Sequence, residues 1–223
     1  MLRGFTLPTQ ANEESMPRSG VRQAPPPDPK RQAIIRTARK AFVSNGYAAT
    51  RIEPIARDTG VSTATLYALF DGKAGLFSAV IDDAAEEFAR QMAGVRTIEG
   101  DARQQLTAFA TTYAGFMSDP YVRSVFRLVM AERPRFQGVA LRFFEKGRAE
   151  FGASLIAILA AQSKSGGLGP IDKPSWAAGH LMGMLEHPVF FVPLVTGDEI
   201  RVRRTLDAIV DDAVETFLAR YGA

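Results

Sequence analysis

Between Asp28 and Gly72 the chain spells out the starts and stops of three helices. The last two are too short to be stable without something to pack against. Asp28 ahead of Pro29 is a capping residue followed by a proline at the first helical position. Ile34, Ile35, Ala38, Ala41 and Phe42 recur at helical spacing and leave Arg36, Arg39 and Lys40 for the solvent side. Asn45-Gly46 tolerates the left-handed conformation that ends a helix, so the first helix is predicted over about 29–45. Thr50, with Glu53 three residues on, reads as the capping box of a second helix. Pro54 is confined to its early turns, and Ile55 and Ala56 face inward. Thr59-Gly60-Val61 is a tight turn, Ser62 caps a third helix ending near Phe70, and Asp71-Gly72 leads into a fourth from about Lys73 to Ala93.

The rest of the chain is punctuated in the same way. Asp119-Pro120 opens a helix over Tyr121–Ala131, Arg133-Pro134 interrupts, and a helical stretch covers about 135–163 with a break at Gly147. Ser165–Pro170 is a loop, and helices near 174–187 and 198–220 close the chain. Glu186-His187-Pro188 marks a place where a helix should break, and Val189–Val195 around Pro193 reads as kinked or non-helical. Nothing alternates with a period of two and nothing repeats, so the predicted fold class is all-α. Apolar residues make up 46% of the 223, enough for a sizeable core. Residues 1–28 carry Pro8, Pro17 and Pro25–Pro27 with few large apolar side chains, and are expected to be a disordered arm. The apolar runs Leu155–Ala161 and Val189–Val195 fall far short of the ~20 residues of a spanning helix. The N-terminus lacks the apolar stretch of a signal peptide, so no membrane partner and a cytoplasmic location are expected. The chain has no cysteine, which excludes disulfides and thiolate metal sites.

Charge is concentrated where the short helices lie. Residues 30–75 hold eight basic side chains against three acidic ones, whereas residues 76–223 hold sixteen against eighteen. A clustered positive excess is the footprint of a polyanion partner, although a solvated helix face gives the same count. Two short helices joined by a glycine-containing turn are the helix-turn-helix unit. Ala56, Gly60, Val61, Leu66 and Phe70 have the spacing to hold helix 2 across helix 3. Thr63, Ala64, Thr65, Tyr67 and Ala68 are then left on the outer side of helix 3, able to enter a major groove.

These residues carry a resemblance. Ile34-Ile35, Ala38, Phe42, Gly46-Tyr47, Thr50, Ile55-Ala56, Gly60-Val61-Ser62, Thr65-Leu66-Tyr67, Phe70, Lys73 and Leu76-Phe77 form a gapless block. It is similar to the DNA-binding domain of the TetR (also AcrR) family of bacterial transcriptional regulators. Residues 131–147, AERPRFQGVALRFFEKG, resemble the AefR-like C-terminal domains, with Gln137 where a proline is usual. The resemblance implies a helix-turn-helix domain over 29–75 and an effector-binding and dimerisation bundle over 76–223. It implies DNA contacts from the start of helix 2 (Thr50, Arg51), from helix 3 (Thr63, Ala64, Thr65, Tyr67, Ala68) and from Lys73. Two positions depart from the pattern: Arg51 stands where Ser or Thr is common, and Leu69 where His or Tyr is. Helix 3 has no Arg, Lys, Asn or Gln, so bidentate reading of guanine or adenine from it is excluded, and methyl contacts to thymine remain. Arg18 and Arg22 in the arm are candidates for added contacts.

The resemblance further implies a homodimer through about 174–187 and 198–220, a near-palindromic double-stranded operator, and a small apolar or amphipathic effector that releases DNA. Stripes suited to the dimer are Trp176, Leu181, Met184 and Leu185, then Leu206, Ile209, Val210, Val214, Phe217 and Leu218. Candidate pocket residues between helix 4 and 101–163 are Phe88, Phe109, Tyr113, Phe116 and Phe126. His180 and His187 near Met182, Met184 and Glu186 are too sparse a set to read as a metal site, and no cofactor is implied. An enzyme is disfavoured, since there are only two histidines, no cysteine, and no HExxH or glycine-rich phosphate motif. The remaining alternative is a helical small-molecule-binding protein that no longer binds DNA, favoured only by Leu69 and the short side chains of helix 3.

Overall fold

The computed structural model describes residues 28–92, 99–198 and 204–223; the arm expected over 1–28 lies outside the described residues except for Asp28. Helix α1 (Pro29–Ala49) starts as its sequence dictates, the Asp28 carboxylate accepting the Lys30 N–H at 3.0 Å. Its regular part ends where Asn45-Gly46 predicts. Gly46 takes φ +74°, and one further turn follows the kink. Helix α2 (Ile52–Asp58) starts one residue later than the Thr50–Glu53 capping box requires. The Thr50 hydroxyl donates backwards instead, to the carbonyls of Gly46 (2.7 Å) and Ala41 (3.1 Å). Thr50 is buried beside the kink at Gly46, and its single hydroxyl proton is shared between these two carbonyls at the end of α1. Arg51 takes the N-cap position with no side-chain cap bond.

The turn after α2 closes as written in the sequence. Val61 N–H reaches Ala56 C=O at 2.9 Å and Gly60 N–H reaches Arg57 C=O at 3.1 Å, the paired bonds of a Schellman ending. Ser62 Oγ then accepts the Thr65 N–H at 3.0 Å and opens α3 (Thr63–Phe70). Asp71 adopts the left-handed conformation and sends the chain straight into α4 (Gly72–Met92). That return is so tight that a Cβ on Gly75 would sit 1.6 Å from the Phe70 carbonyl oxygen, and only glycine fits there. Phe42, Tyr47 and Phe77 pack as a ring cluster at the centre of this N-terminal unit. Leu66 and Phe70 pin α3 to it.

Beyond α4 the elements are α5 (Ala102–Met117), α6 (Pro120–Glu132), α7 (Gln137–Gly147), α8 (Ala153–Ser165), α9 (Pro174–Glu186), α10 (Val192–Thr196) and α11 (Leu206–Tyr221). Asp101 and Gln104 make a reciprocal capping box on α5, and Asp119 caps α6 through the Tyr121 N–H at 2.8 Å. Helix α11 packs on α5 and α9, and α4 packs on α1, α3 and α7. Among the described residues there is no strand, only an isolated antiparallel bridge between Leu168 and Gly222 that ties down the C-terminus. No single helix among them is long and apolar enough to cross a membrane.

Four further expectations are corrected. The break at Gly147 is not an interruption: α7 runs into α8 through a π-helical turn, Arg148–Gly152. Likewise Pro188 does not end α9, which widens into a second π turn, His187–Phe191, and continues as α10. The Val192 N–H there bonds the carbonyl of His187, five residues back. Pro193 has no N–H to give Val189, and the orphaned Val189 carbonyl is taken at 3.1 Å by the guanidinium of buried Arg123. The last helix begins at Leu206 rather than 198, and residues 199–203 of that expectation lie outside the described residues. Arg39 is the fourth correction. It is buried rather than on the solvent side, bonded to Asp83 and Glu87 of α4 and to the Tyr121 hydroxyl of α6. Helix α1 therefore meets both α4 and α6 through one guanidinium.

Candidate nucleic-acid interface and effector cavity

Helix α3 presents a ridge to the outside. Leu66 and Phe70 turn inward, while Ala64, Tyr67, Ala68 and Leu69 are exposed and Thr63 and Thr65 half-exposed. Thr65 Oγ1 is shared with the capping Ser62 hydroxyl at 2.8 Å. Tyr67 is the largest polar-tipped side chain on the ridge, 46% exposed. At the edge of the ridge Lys73 lies over the Tyr47 ring, 4.6 Å from its centroid, and donates to the Ala48 carbonyl at 3.1 Å. Its ammonium is thus held beside the turn before α2. Arg51 is exposed and shares a shallow groove between α1 and α2 with Lys40 and Thr50.

The structure brings Arg51, the α3 ridge and Lys73 into one small unit, and separates Thr50 from the ridge's exposed side chains because Thr50 is buried and committed to α1. Lys30, Arg31, Arg36, Lys40, Arg51 and Arg57 are exposed, whereas Arg39 is neutralised by two carboxylates. The effective positive excess is smaller than the sequence count. Leu69, at a position where a polar contact is expected, is exposed and carries no donor.

The second site is a cavity of about 250 Å³ in the C-terminal bundle. Helix α4 supplies Ala85, Phe88 and Ala89, α5 supplies Tyr113 and Met117, and α6 supplies Phe126. The opposite wall comes from both π turns and their flanks, Phe143 to Phe151 on one side and Met182 to Phe190 on the other. A π turn carries an extra residue per turn and rotates the following side chains, which is why such turns gather at functional sites. Here one aims Phe151 into the cavity and the other follows Glu186 with Phe190.

The rings form a nearly closed belt. Tyr113 meets Phe151 (5.6 Å between centroids), Phe151 meets Phe116 (5.2 Å), and Phe116 meets Phe88 (4.9 Å). Phe88 meets Phe143 (6.1 Å), Phe143 meets Phe126 (5.0 Å), and Phe126 meets Phe190 (4.9 Å). The two ends of the belt join at Glu186, which accepts a hydrogen bond from the Tyr113 hydroxyl and stands one helical turn before Phe190. Burial first, then the charge and hydrogen bond of Glu186, push the Tyr113 phenol well above its ordinary value. It stays a neutral donor. Phe144, 64% exposed, marks the mouth.

Of the five aromatics singled out in the sequence, Phe88, Tyr113 and Phe126 line this cavity. Phe116 and Phe109 do not: Phe116 links belt members from behind, and Phe109 stacks on Tyr113 at 5.6 Å. The wall also extends past residue 163 to α9. Sequence reasoning missed Glu186, Phe190, Phe143 and Phe151. Their shared signal is adjacency to Gly147 and Pro188, the two helix-breaking residues absorbed by π turns.

The stripes assigned to a dimer interface fall mostly inside the subunit. Leu181, Leu185, Ile209, Val210, Val214 and Phe217 are buried within the single chain, because α9 and α11 pack on α5 and on each other. What remains outward on α9 is Trp176, 60% exposed, with Gly179, His180 and Gly183, continued by Phe191 and Val195. Met184 is half-buried. His180 bonds the Tyr221 hydroxyl at 2.8 Å and His187 stacks on Phe191. Among the described residues no group of three or more His, Cys, Asp or Glu side chains has the geometry to hold a metal.

Residues 34–80 match the model of bacterial regulatory proteins of the tetR family. Residues 104–223 match that of the AefR-like transcriptional repressor C-terminal domain. A curated relative, the HTH-type transcriptional repressor ComR of Escherichia coli, is 42% identical over 59 residues, which span 26% of this chain and 28% of that repressor. Among solved structures, one assigned to the TetR family of transcriptional regulators, from Mesorhizobium loti, superposes with a TM-score of 0.76 at 29% identity. The superposition covers 87% of this chain and 97% of the other. The transcriptional regulator FadR of Bacillus subtilis, solved with stearoyl-CoA, has a TM-score of 0.64 at 17% identity, covering 84% and 97%, and shares the fold.

Proposed function

Because the chain belongs to the TetR family of transcriptional regulators, we propose that it is a ligand-released repressor rather than an enzyme, a cytoplasmic homodimer on a near-palindromic operator. A DNA-binding unit spans about 29–75 and an effector and dimerisation unit 76–223. One observation carries this reading. Helix α4 starts with Lys73 beside the α3 ridge and, three to four turns later, supplies Ala85, Phe88 and Ala89 to the cavity wall. A rigid helix that touches both sites is the element through which occupancy of one alters the other.

In this reading Arg51, Tyr67 and Lys73 grip phosphates, since a guanidinium, a phenol and an ammonium are all suitable donors. Thr63, Ala64 and Ala68 meet base edges, and Thr65 supports the start of α3 through Ser62. Thr50 acts indirectly, by fixing the end of α1 against the start of α2. Phe88, Tyr113 and Phe126 contact the effector, with Phe109 and Phe116 shaping the wall. The dimer is built from the outward face of α9, around Trp176, Gly179 and Gly183, with α11. The two glycines let a partner backbone approach closely, and an exposed tryptophan is the kind of anchor that interfaces bury.

A ligand releases DNA only if it binds the DNA-incompetent arrangement more tightly. The test is a pair of dimer structures, free and ligand-bound, with operator binding measured by gel shift. The expected result is a changed separation of the two α3 ridges. An unchanged separation with a ligand that does release DNA would overturn the α4 lever, and failure to bind any palindromic DNA would favour the alternative of a binding protein without an operator.

A further inference from the structure

The cavity is uniform except at one point. Its side chains are aromatic, aliphatic or thioether apart from the Tyr113 hydroxyl and the Glu186 carboxylate. Tyr113 is a buried donor already spent on Glu186. Glu186 accepts that one bond and, among the described residues, has no lysine, arginine or histidine paired with it. A carboxylate at the seam of an aromatic belt is an arrangement with a definite preference. Ring faces attract cations through their quadrupoles, and the attraction grows when the cation is desolvated. A carboxylate removed from water by a bound ligand is costly unless the ligand supplies a compensating charge or donor. A neutral hydrocarbon would cover Glu186 without pairing it, and an anion would be repelled.

We propose that this cavity selects lipophilic cations: a compact aromatic or hydrocarbon body bearing one protonated amine or quaternary ammonium group, with the nitrogen against Glu186 and the body within the belt. The inference rests on the reading of this cavity as the effector site and assigns that site's ligand class. A volume of about 250 Å³ falls just below the usual range of ligand pockets, which run from roughly 300 Å³ upward. It suits a body of one ring with a short chain rather than a long acyl thioester.

The experiment uses the full chain and three matched probes, phenylbutylamine, phenylbutanol and phenylbutanoate, titrated by calorimetry at neutral pH. The amine is expected to bind at least about tenfold more tightly than the alcohol, a difference of about 1.4 kcal/mol, and the acid to bind weakest. Glu186→Gln should bring amine and alcohol to within about threefold of each other, the preference depending on the charge that was removed. Tyr113→Phe keeps the ring and the carboxylate, so it should retain the amine preference. It also serves as the check should the glutamine variant fold poorly. Equal or tighter binding of the acid, an amine preference that survives in Glu186→Gln, or no binding of any probe at about 1 mM would overturn the proposal. An operator gel shift with the amine separates the two readings: binding through Glu186 without release of DNA sustains the ligand class and refutes the release mechanism.

Discussion

The two halves of this molecule handle the same resource, aromatic side chains, in opposite ways. In the N-terminal unit Phe42, Tyr47 and Phe77 meet ring to ring with nothing between them, and the short helices α2 and α3 are held against that solid centre. In the C-terminal bundle a larger set of rings is arranged in a belt around empty space. A docking helix must be rigid, because its partner's geometry is given in advance. A ligand site must leave apolar surface uncovered in the free protein, and that costs stability. The solid half is thus the stable platform and the hollow half the adjustable one. Arg39 and α4 join them.

The largest expected effect tests that contrast directly. Phe42→Ala removes a fully buried ring from the solid half and should destabilise the protein by about 4 kcal/mol, in the range of buried phenylalanine truncations. Phe126→Ala borders space that is already empty and is half-buried, so it should cost less than half as much. Chemical denaturation of both variants measures the difference, and equal losses would remove the distinction between solid and hollow.

Next in size is the joint between the halves. Arg39→Ala leaves Asp83 and Glu87 facing a site without its cation and should cost about 3 kcal/mol, as for a broken buried pair. Arg103→Ala, which breaks an exposed pair with Glu215, should leave the unfolding midpoint unchanged. A similar response from the two would mean that the Arg39 network does not tie α1 to α4 and α6.

The outward ridge of α3, proposed to meet DNA, gives smaller, more specific effects. Placing Arg at Ala64 or Ala68 should shift each half-site toward guanine by about 2 kcal/mol, the value of one bidentate contact. Binding selection from a randomised operator reads this out, and an unchanged preference would take these positions off the base edges. Lys73→Ala should weaken binding to all sequences by about tenfold and lower the salt slope by about one unit, with Tyr67→Phe weakening it uniformly as well. A change in sequence preference instead would reassign both residues.

The smallest effect is a pH dependence in the hollow half. Burial works against ionisation of Asp198, but the hydrogen bonds and charges of Arg123 and Arg127 outweigh it and hold its carboxyl below the ordinary value. A depressed carboxyl stabilises the fold above its unfolded value, about 3.9, and that contribution is lost as pH falls through the lower folded value. The thermal midpoint of the wild type should therefore exceed that of Asp198→Asn at pH 7 and converge on it below about pH 4. A constant gap across that window would show that the pair is not ionic in effect.

What the sequence by itself determined is those helix ends that are fixed locally, and the outward ridge. Asp28-Pro29, Asn45-Gly46, Gly60-Val61-Ser62 and Asp119-Pro120 act locally. Each is a side chain or a φ preference that satisfies or frees a backbone group within a few residues. They therefore read correctly without knowledge of the fold, and so did the helix-turn-helix. Thr50 read wrongly because two possible partners, the start of α2 and the end of α1, lie equally near in sequence, and only the kink at Gly46 decides between them. The fate of Arg39, the continuation of helix through Pro188 and Pro193, and the inward aim of Glu186 were decided by tertiary structure. Each depends on a group distant in the chain: Asp83 and Tyr121 for Arg39, Arg123 for the freed Val189 carbonyl, and Tyr113 for Glu186. Burial of a polar group is settled by whatever satisfies it, and in this protein those partners come from other helices.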